Sequence, residues 1–222
     1  MILIVARHGR TFAPHERPVW VGAGQDPPLV AEGEREARVL GQALAPIAPR
    51  LRRFEASPMR RTRQFAALCR PPQAAAVPQK VNDALMELHY GAWAGLDRHE
   101  VLAQSGPAAL AAWEQRGAYP EGAGFAPPRA QVLAGLTAWL QNLAATFVSA
   151  QDCVVAVSHG GTLRLLVQAL NSSERPAQPK IACGHIGVLQ LALGQATVRA
   201  WNVAPDGPSL QALCDAGNPP KL

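Results

Sequence analysis

Two short apolar segments, far apart in the chain and each followed by histidine and glycine, constrain the fold more than any other feature of the sequence. The first is Met1–Ala6, which runs into Arg-His-Gly, and the second is Asp152–Ser158, which runs into His-Gly-Gly. Apolar runs of this length, rich in Ile, Leu and Val, are typical of strands buried on both faces of a parallel or mixed sheet. Because ligands of such sheets bind beyond the carboxyl ends of the strands, we expect His8 and His159 to lie at a binding edge.

Strand and helix signals alternate along the chain, which predicts an α/β fold, a three-layer α/β/α sandwich with a mostly parallel central sheet. Further strands are predicted at Leu51–Ala56, near Ala75–Val81 and as a pair within Ile181–Val203. Helices are predicted over Ala31–Ala45, from Ser57 to about Cys69, as two short helices between Asp97 and Arg116, in a long segment reaching about Ser149, and from His159 through Ala169. We expect residues 1–204 to form a single domain and the Pro/Gly-rich tail 205–222 to fray.

Charge and composition narrow the classes of partner. The chain has 222 residues and a net charge of +5, so an anionic partner is expected. The arginines gather near predicted strand ends rather than along one helix face, which argues against a nucleic acid as the partner. The four cysteines form no CxxC pair, which argues against a zinc cluster and favours reduced thiols. No apolar run approaches the roughly 18 residues of a membrane helix, so we expect no membrane association and a cytoplasmic location.

The residues at the predicted strand ends suit the chemistry of a phosphoryl group. Arg7 and Arg61 can form bidentate contacts to phosphate oxygens, and the helix that starts after His159 adds backbone N–H groups. His8 is the candidate nucleophile and His159 a second donor. A neutral imidazole attacks with one ring nitrogen only if the other carries the proton, so we expect a backbone carbonyl near Gly9 to fix the tautomer of His8.

Four ordered motifs resemble the histidine phosphatase superfamily, whose fold is the phosphoglycerate mutase-like fold. They are RHGRT (Arg7 to Thr11), SPMRRT (Ser57 to Thr62), ELHYGAW (Glu87 to Trp93) and VSHGG (Val157 to Gly161). The resemblance implies that His8 is phosphorylated and that Glu87 is the proton donor and later the base. It also implies that the phosphate is held by Arg7, Arg61, His159 and Gly160.

The resemblance extends to the rim of the predicted pocket, where the sequence also departs from the family pattern. It indicates a substrate pocket that includes Arg10, Thr11, His89, Tyr90 and His185. The chain resembles the small-phosphatase branch, such as alpha-ribazole phosphatase, although a branch glutamate is replaced by Ala123. Pro14 stands where the family has an asparagine that helps hold phosphate. We interpret Arg10 as an electrostatic replacement for that donor.

These observations predict a phosphomonoesterase that hydrolyses a small phosphorylated metabolite through phosphohistidine, with no metal and no other cofactor. The expected partner is a small-molecule phosphate ester, neither nucleic acid nor a membrane, and a homodimer joined at a sheet edge is compatible with the fold. Two alternatives stay open: phosphoryl transfer of the phosphoglycerate mutase type, and a non-catalytic phospholigand-binding or regulatory protein. Retention of His8, Arg61, Glu87 and His159 together argues against the second.

Overall fold

A mixed sheet of six strands forms the centre of the computed structural model, which describes residues 1–172, 174–192 and 194–215. The strands are β1 Ile2–Arg7, β2 Leu51–Ala56, β3 Gln79–Val81, β4 Cys153–Ser158, β5 Ile186–Ala192 and β6 Gln195–Val203. Their order across the sheet is β3-β2-β4-β1-β5-β6. The neighbours β3, β2, β4 and β1 run parallel, whereas β5 is antiparallel to both β1 and β6. The prediction of a mostly parallel sheet is confirmed.

Helices cover both faces of this sheet. They are α1 Ala31–Leu44, α2 Arg60–Leu68, α3 Arg98–Arg116, α4 Arg129–Thr146, α5 Gly160–Ala169 and α6 Leu210–Asp215. Short 3₁₀ helices occupy Ala45–Arg50, Pro72–Ala74, Asp83–Leu85 and Gly91–Trp93. Helix α3 is interrupted at Gly106, which has a φ of 78° and precedes Pro107, so this segment consists of two helical pieces as the sequence predicts. Among the described helices, none is both long and apolar enough to cross a membrane.

Side chains of β1 alternate between two separate hydrophobic cores. Leu3 and Val5 pack with α3, α4 and α5, while Ile2 and Ile4 pack with α1, α2 and α6. All four side chains are almost completely buried. A strand that is apolar on both faces must be covered by helices on both sides, and the predicted three-layer sandwich is therefore confirmed.

Three predictions of local structure differ from the observed chain. The predicted strand near Ala75–Val81 is reduced to Gln79–Val81, because Pro72 starts a 3₁₀ helix just before it. Helix α4 ends at Thr146 rather than near Ser149. The tail predicted to fray forms α6 over residues 210–215, since Leu210 and Cys214 are buried in the core beneath α1; residues 216–222 lie outside the described residues.

Candidate active site

The carboxyl ends of three adjacent parallel strands bring two histidines and a serine together. Strand β4 lies between β1 and β2, with Arg7 in register with Ser158. The His8 backbone N–H donates to the Ser158 carbonyl at 3.0 Å, and the Ser57 N–H donates to the Val157 carbonyl at 3.1 Å. His8, Ser57 and His159 therefore leave the sheet at the same edge, which borders a cavity of about 810 Å³.

The ring of His8 is held in one tautomer at the wall of this cavity. Its Nδ1 lies 2.7 Å from the Gly9 carbonyl oxygen, and because a carbonyl only accepts, Nδ1 must carry the proton. This agrees with the tautomer expected from the sequence. Burial lowers the pKa of His8 well below its usual value, and the charges of Arg7 and Arg61 act in the same direction. The imidazole is thus neutral at pH 7, with Nε2 unprotonated.

Among the residues that the structure describes, Arg7 presents an unpaired donor beside His8. Its Nη1 donates to the Ile181 carbonyl at 3.0 Å, while its Nε is buried and has no hydrogen-bond partner within the described part of the chain. The first turn of α5 packs on the same guanidinium, since a Cβ added to Gly160 would lie 3.2 Å from Arg7 Cζ. Buried N–H groups are normally paired, so an unpaired one beside a helix N-terminus suits an anionic ligand.

Arg61 lines the cavity but is also tied to the loop before α1. Its Nη2 donates to the Gly22 carbonyl at 3.1 Å and its Nη1 to the Gln25 carbonyl at 2.9 Å. Asp26 adds an ion pair at 3.4 Å and accepts from the Arg60 N–H at 2.8 Å. These contacts fix the position of a guanidinium that is only 2% exposed.

His159 lies behind Arg61 and is fully buried rather than part of the cavity wall. Its Nδ1 accepts from Arg61 Nε at 3.3 Å, so Nε2 carries the proton and donates to Ser57 Oγ at 2.8 Å. Burial lowers the pKa of His159 well below its usual value, with His8 and Arg61 contributing. The resemblance implies that His159 holds the phosphate. In the structure its ring contacts Arg61 and lies 5.1 Å, centroid to centroid, from the His8 ring.

Glu87 reaches the cavity from the segment between β3 and α3. Its Oε1 accepts from the Leu88 N–H at 3.0 Å and from Thr162 Oγ1 at 3.4 Å, and the side chain is almost buried. The Tyr90 hydroxyl lies beside it, and burial raises the pKa of Tyr90 well above its usual value. Both groups lie against Gly161, where an added Cβ would be 2.7 Å from Glu87 Oε1.

The structure brings most of the predicted pocket residues together and leaves two outside. Arg10, Thr11 and Tyr90 line the cavity, and Arg10 Nε pairs with Glu36 at 3.2 Å. His89 is exposed, because its backbone pairs with Ala126 and the alternating direction of side chains turns its ring outward. His185 precedes β5, and its Nδ1 contacts the Asn202 carbonyl at 3.2 Å instead of the cavity.

Several cavity residues were not identified from the sequence, among them Arg164 and Lys180. Arg164 lies on α5 four residues after Gly160, a spacing that places both on one helix face and could have revealed it. Lys180 comes from the segment between α5 and β5, whose path over the sheet has no local sequence signal. Among the described residues, no three side chains of His, Cys, Asp or Glu lie close enough together to hold a metal ion.

Comparison with known proteins identifies the relatives of this chain. The model of the histidine phosphatase superfamily, branch 1, matches residues 3–204. No curated protein sequence matches the chain.

Among solved structures, the fold is similar to that of a mycobacterial glucosyl-3-phosphoglycerate phosphatase with inorganic phosphate (TM-score 0.73, 24% identity, 93% of this chain and 99% of that one covered). It is also similar to YhfR from Bacillus stearothermophilus (TM-score 0.69, 24% identity, 90% of this chain and 96% of that one covered). A third similar structure is the alpha-ribazole phosphatase from Shigella flexneri (TM-score 0.68, 21% identity, 92% of this chain and 97% of that one covered). Because the family model spans nearly the whole chain, the protein belongs to branch 1 of the histidine phosphatase superfamily.

Proposed function

We propose that the protein is a metal-independent phosphomonoesterase that hydrolyses a small phosphorylated metabolite through a phosphohistidine at His8. The observation that carries the proposal is the 2.7 Å contact between His8 Nδ1 and the Gly9 carbonyl, in a ring that borders the cavity. It leaves the lone pair of Nε2 free to attack phosphorus while the alcohol departs. The neutral form favoured by burial is the nucleophilic one.

Several positive groups surround the position that the phosphoryl group would take. Arg7, whose Nε has no partner among the described residues, and Arg61 line the same wall, and α5 directs its N-terminus there. Such donors stabilise the charge on the transferring oxygens, which supplies much of the catalysis in phosphoryl transfer. His159 contributes by holding Arg61 Nε, and Ser57 in turn fixes the His159 ring.

Glu87 is the proposed acid and base. In the first step its carboxylic acid protonates the leaving alkoxide as the bond between phosphorus and that oxygen breaks. In the second step the carboxylate takes a proton from the attacking water, the bond between phosphorus and Nε2 breaks, and phosphate leaves with His8 neutral again. The almost buried position of Glu87 at the cavity wall and its neighbour Tyr90 support this role.

A small metabolite is the proposed substrate class. The cavity of about 810 Å³ falls within the size range of small-molecule sites, and basic side chains outnumber acidic ones along its lining. Similar structures include phosphatases that are named for glucosyl-3-phosphoglycerate and alpha-ribazole phosphate, both small phosphate esters.

Hydrolysis of p-nitrophenyl phosphate in EDTA tests the proposal. We expect turnover in the wild type, a loss of at least about a hundredfold in His8→Ala, and wild-type rates in His15→Ala, a matched exposed histidine outside the cavity. Alkaline quenching followed by mass spectrometry should find a phosphoryl group on His8. Equal rates for the two variants, or activity that EDTA abolishes, would contradict the mechanism.

A further inference from the structure

We propose that Arg164 forms a second anion site in the cavity, which binds a carboxylate or a second phosphoryl group on the alcohol part of the substrate. The inference rests on the proposed function for the placement of the first phosphoryl group at His8 and Arg7. It narrows the substrate class to phosphate monoesters whose leaving group is itself anionic.

The helix geometry sets Arg164 at a defined distance from the phosphate end. Gly160, against which the Arg7 guanidinium packs, and Arg164 are four residues apart on α5. Four residues correspond to about 6 Å along a helix, on the same face. Both arginines line the one cavity, so an ester with two anionic groups separated by a short carbon chain can contact both.

The Arg164 side chain is held in place before any ligand arrives. Its guanidinium lies over the Trp113 ring with Cζ 4.7 Å from the ring centroid, and its Nε donates to the Glu114 carbonyl at 3.3 Å. Its stem runs past Gly117, where an added Cβ would lie 3.6 Å from Arg164 Cγ. A guanidinium already fixed in this way loses little conformational freedom when it binds an anion.

Within the described part of the chain, the charge of Arg164 has no carboxylate partner. Within residues 1–172, 174–192 and 194–215, no Asp or Glu oxygen lies within 4.0 Å of it, and Nε makes its one hydrogen bond to a protein group. By contrast, Arg98 on the same cavity pairs with Glu114 at 2.9 Å. Burial lowers the pKa of Arg164, which marks the desolvation of its charge, yet arginine stays protonated in proteins.

The two terminal nitrogens of Arg164 therefore remain for a ligand. A guanidinium with both terminal nitrogens free matches a carboxylate or a phosphate in bidentate geometry. A charge-assisted contact of this kind is expected to strengthen binding at least about tenfold over a hydroxyl at the same position.

Binding of matched ester pairs to a His8→Ala protein tests the site without requiring turnover. Calorimetry compares 3-phosphoglycerate with glycerol 3-phosphate, which differ by a carboxylate against a CH₂OH group. It also compares fructose 1,6-bisphosphate with fructose 6-phosphate, which differ by a second phosphoryl group. Each comparison is repeated with Arg164→Met and Arg164→Gln added, and with Arg98→Met as the matched control from the same cavity. Circular dichroism identifies the variants that fold.

We expect the His8→Ala protein to favour the doubly anionic member of at least one pair about tenfold or more. Either Arg164 variant should reduce that ratio to about one, and Arg98→Met should retain it. The pair that responds identifies the second group as a carboxylate or a phosphoryl group. A ratio near one in both pairs, or an equal loss with Arg98→Met, would overturn the proposal. Because the readout is a binding ratio, failure of phosphohistidine chemistry would appear separately, in the p-nitrophenyl phosphate assay.

Discussion

Replacing Gly161 by alanine adds one methyl group at the point where the proposed acid and the buried tyrosine meet helix α5. The backbone there is helical and φ is not positive, so local conformation alone favours alanine. An added Cβ would nevertheless fall 2.7 Å from Glu87 Oε1 and closer still to Tyr90 Oη, whereas real Cβ atoms essentially never approach another heavy atom within 3.0 Å. The hydroxyl belongs to a buried ring packed against Trp113 and Phe125, so it cannot move away freely.

The size of the effect follows from two opposed contributions. Alanine in place of a helical glycine stabilises the folded state by roughly 0.5–1 kcal/mol, because glycine loses more backbone freedom on folding. Overpacking of a close-packed interior costs about 1–3 kcal/mol, and the upper part of that range applies because two side chains are displaced. We expect a net loss of about 1–2 kcal/mol, or a fall in Tm of about 2–8 °C for a chain of this length. Because Glu87 must shift, kcat should fall at least about tenfold.

Scanning calorimetry and steady-state kinetics check this prediction against Gly135→Ala. Gly135 lies within helix α4 with open space around its Cβ position, so that control should raise Tm by about 1–4 °C and leave kcat unchanged. In a Tyr90→Phe background, which lacks the obstructing oxygen, the cost of Gly161→Ala should shrink by at least about 0.5 kcal/mol. If Gly161→Ala melts at or above the wild type, or shows no coupling to Tyr90→Phe, the steric reasoning is refuted.

Two further predictions concern the groups beside the cavity. Asp26→Ala removes the ion pair to Arg61 and the acceptor at the start of α2, so the inhibition constant for inorganic phosphate should rise several-fold. Asp26→Asn should restore most of the phosphate affinity. Equal inhibition constants for the two variants would show that Asp26 does not position the arginine. His8 and His159 have pKa values well below the unfolded value near 6.5, so the unfolded chain binds more protons than the folded one in that range. Their contribution to stability is complete above pH 6.5 and is lost, at up to about 1.4 kcal/mol per pH unit for each group, as the pH falls from there toward the folded pKa. Urea titrations in phosphate-free buffer between pH 7.5 and 5.5 measure this, and a flat profile would contradict it.

The parts of the site that could be predicted from the sequence are those whose position follows from a short stretch of chain. Strand β1, apolar from Ile2 to Ala6, ends at Arg7. The next residue, His8, must therefore appear at the sheet edge, where Gly9 can offer its carbonyl to the ring. Gly160 starts a helix directly after β4 and therefore faces the same edge. These placements depend on the alternation of side chains along a strand or on the start of a helix, and both can be predicted from the local sequence.

Two loop histidines, His89 and His185, were misplaced because one step along a loop decides whether a side chain faces inward or outward. Tyr90 lies in the cavity wall while the adjacent His89 faces solvent. The backbone pairing of His89 with Ala126 decides which of the two side chains faces inward. His185 was predicted in the pocket, yet the return of the chain beside Asn202 draws its ring toward β6. The helix α6 likewise forms where composition predicts fraying, since the core beneath α1 accepts Leu210.

The sequence by itself determined the layered fold and the strand-end positions of Arg7 and His8, because hydrophobic period and local spacing encode them. The family was indicated by the resemblance of four motifs and is shown by the match of its model over residues 3–204. Only the tertiary structure decided that His159 lies behind Arg61, and that Arg164 rests on Trp113 with no carboxylate partner among the residues that the structure describes. Those arrangements join segments tens of residues apart. Their geometry is fixed by how the helices pack on the sheet, which no local pattern of residues records.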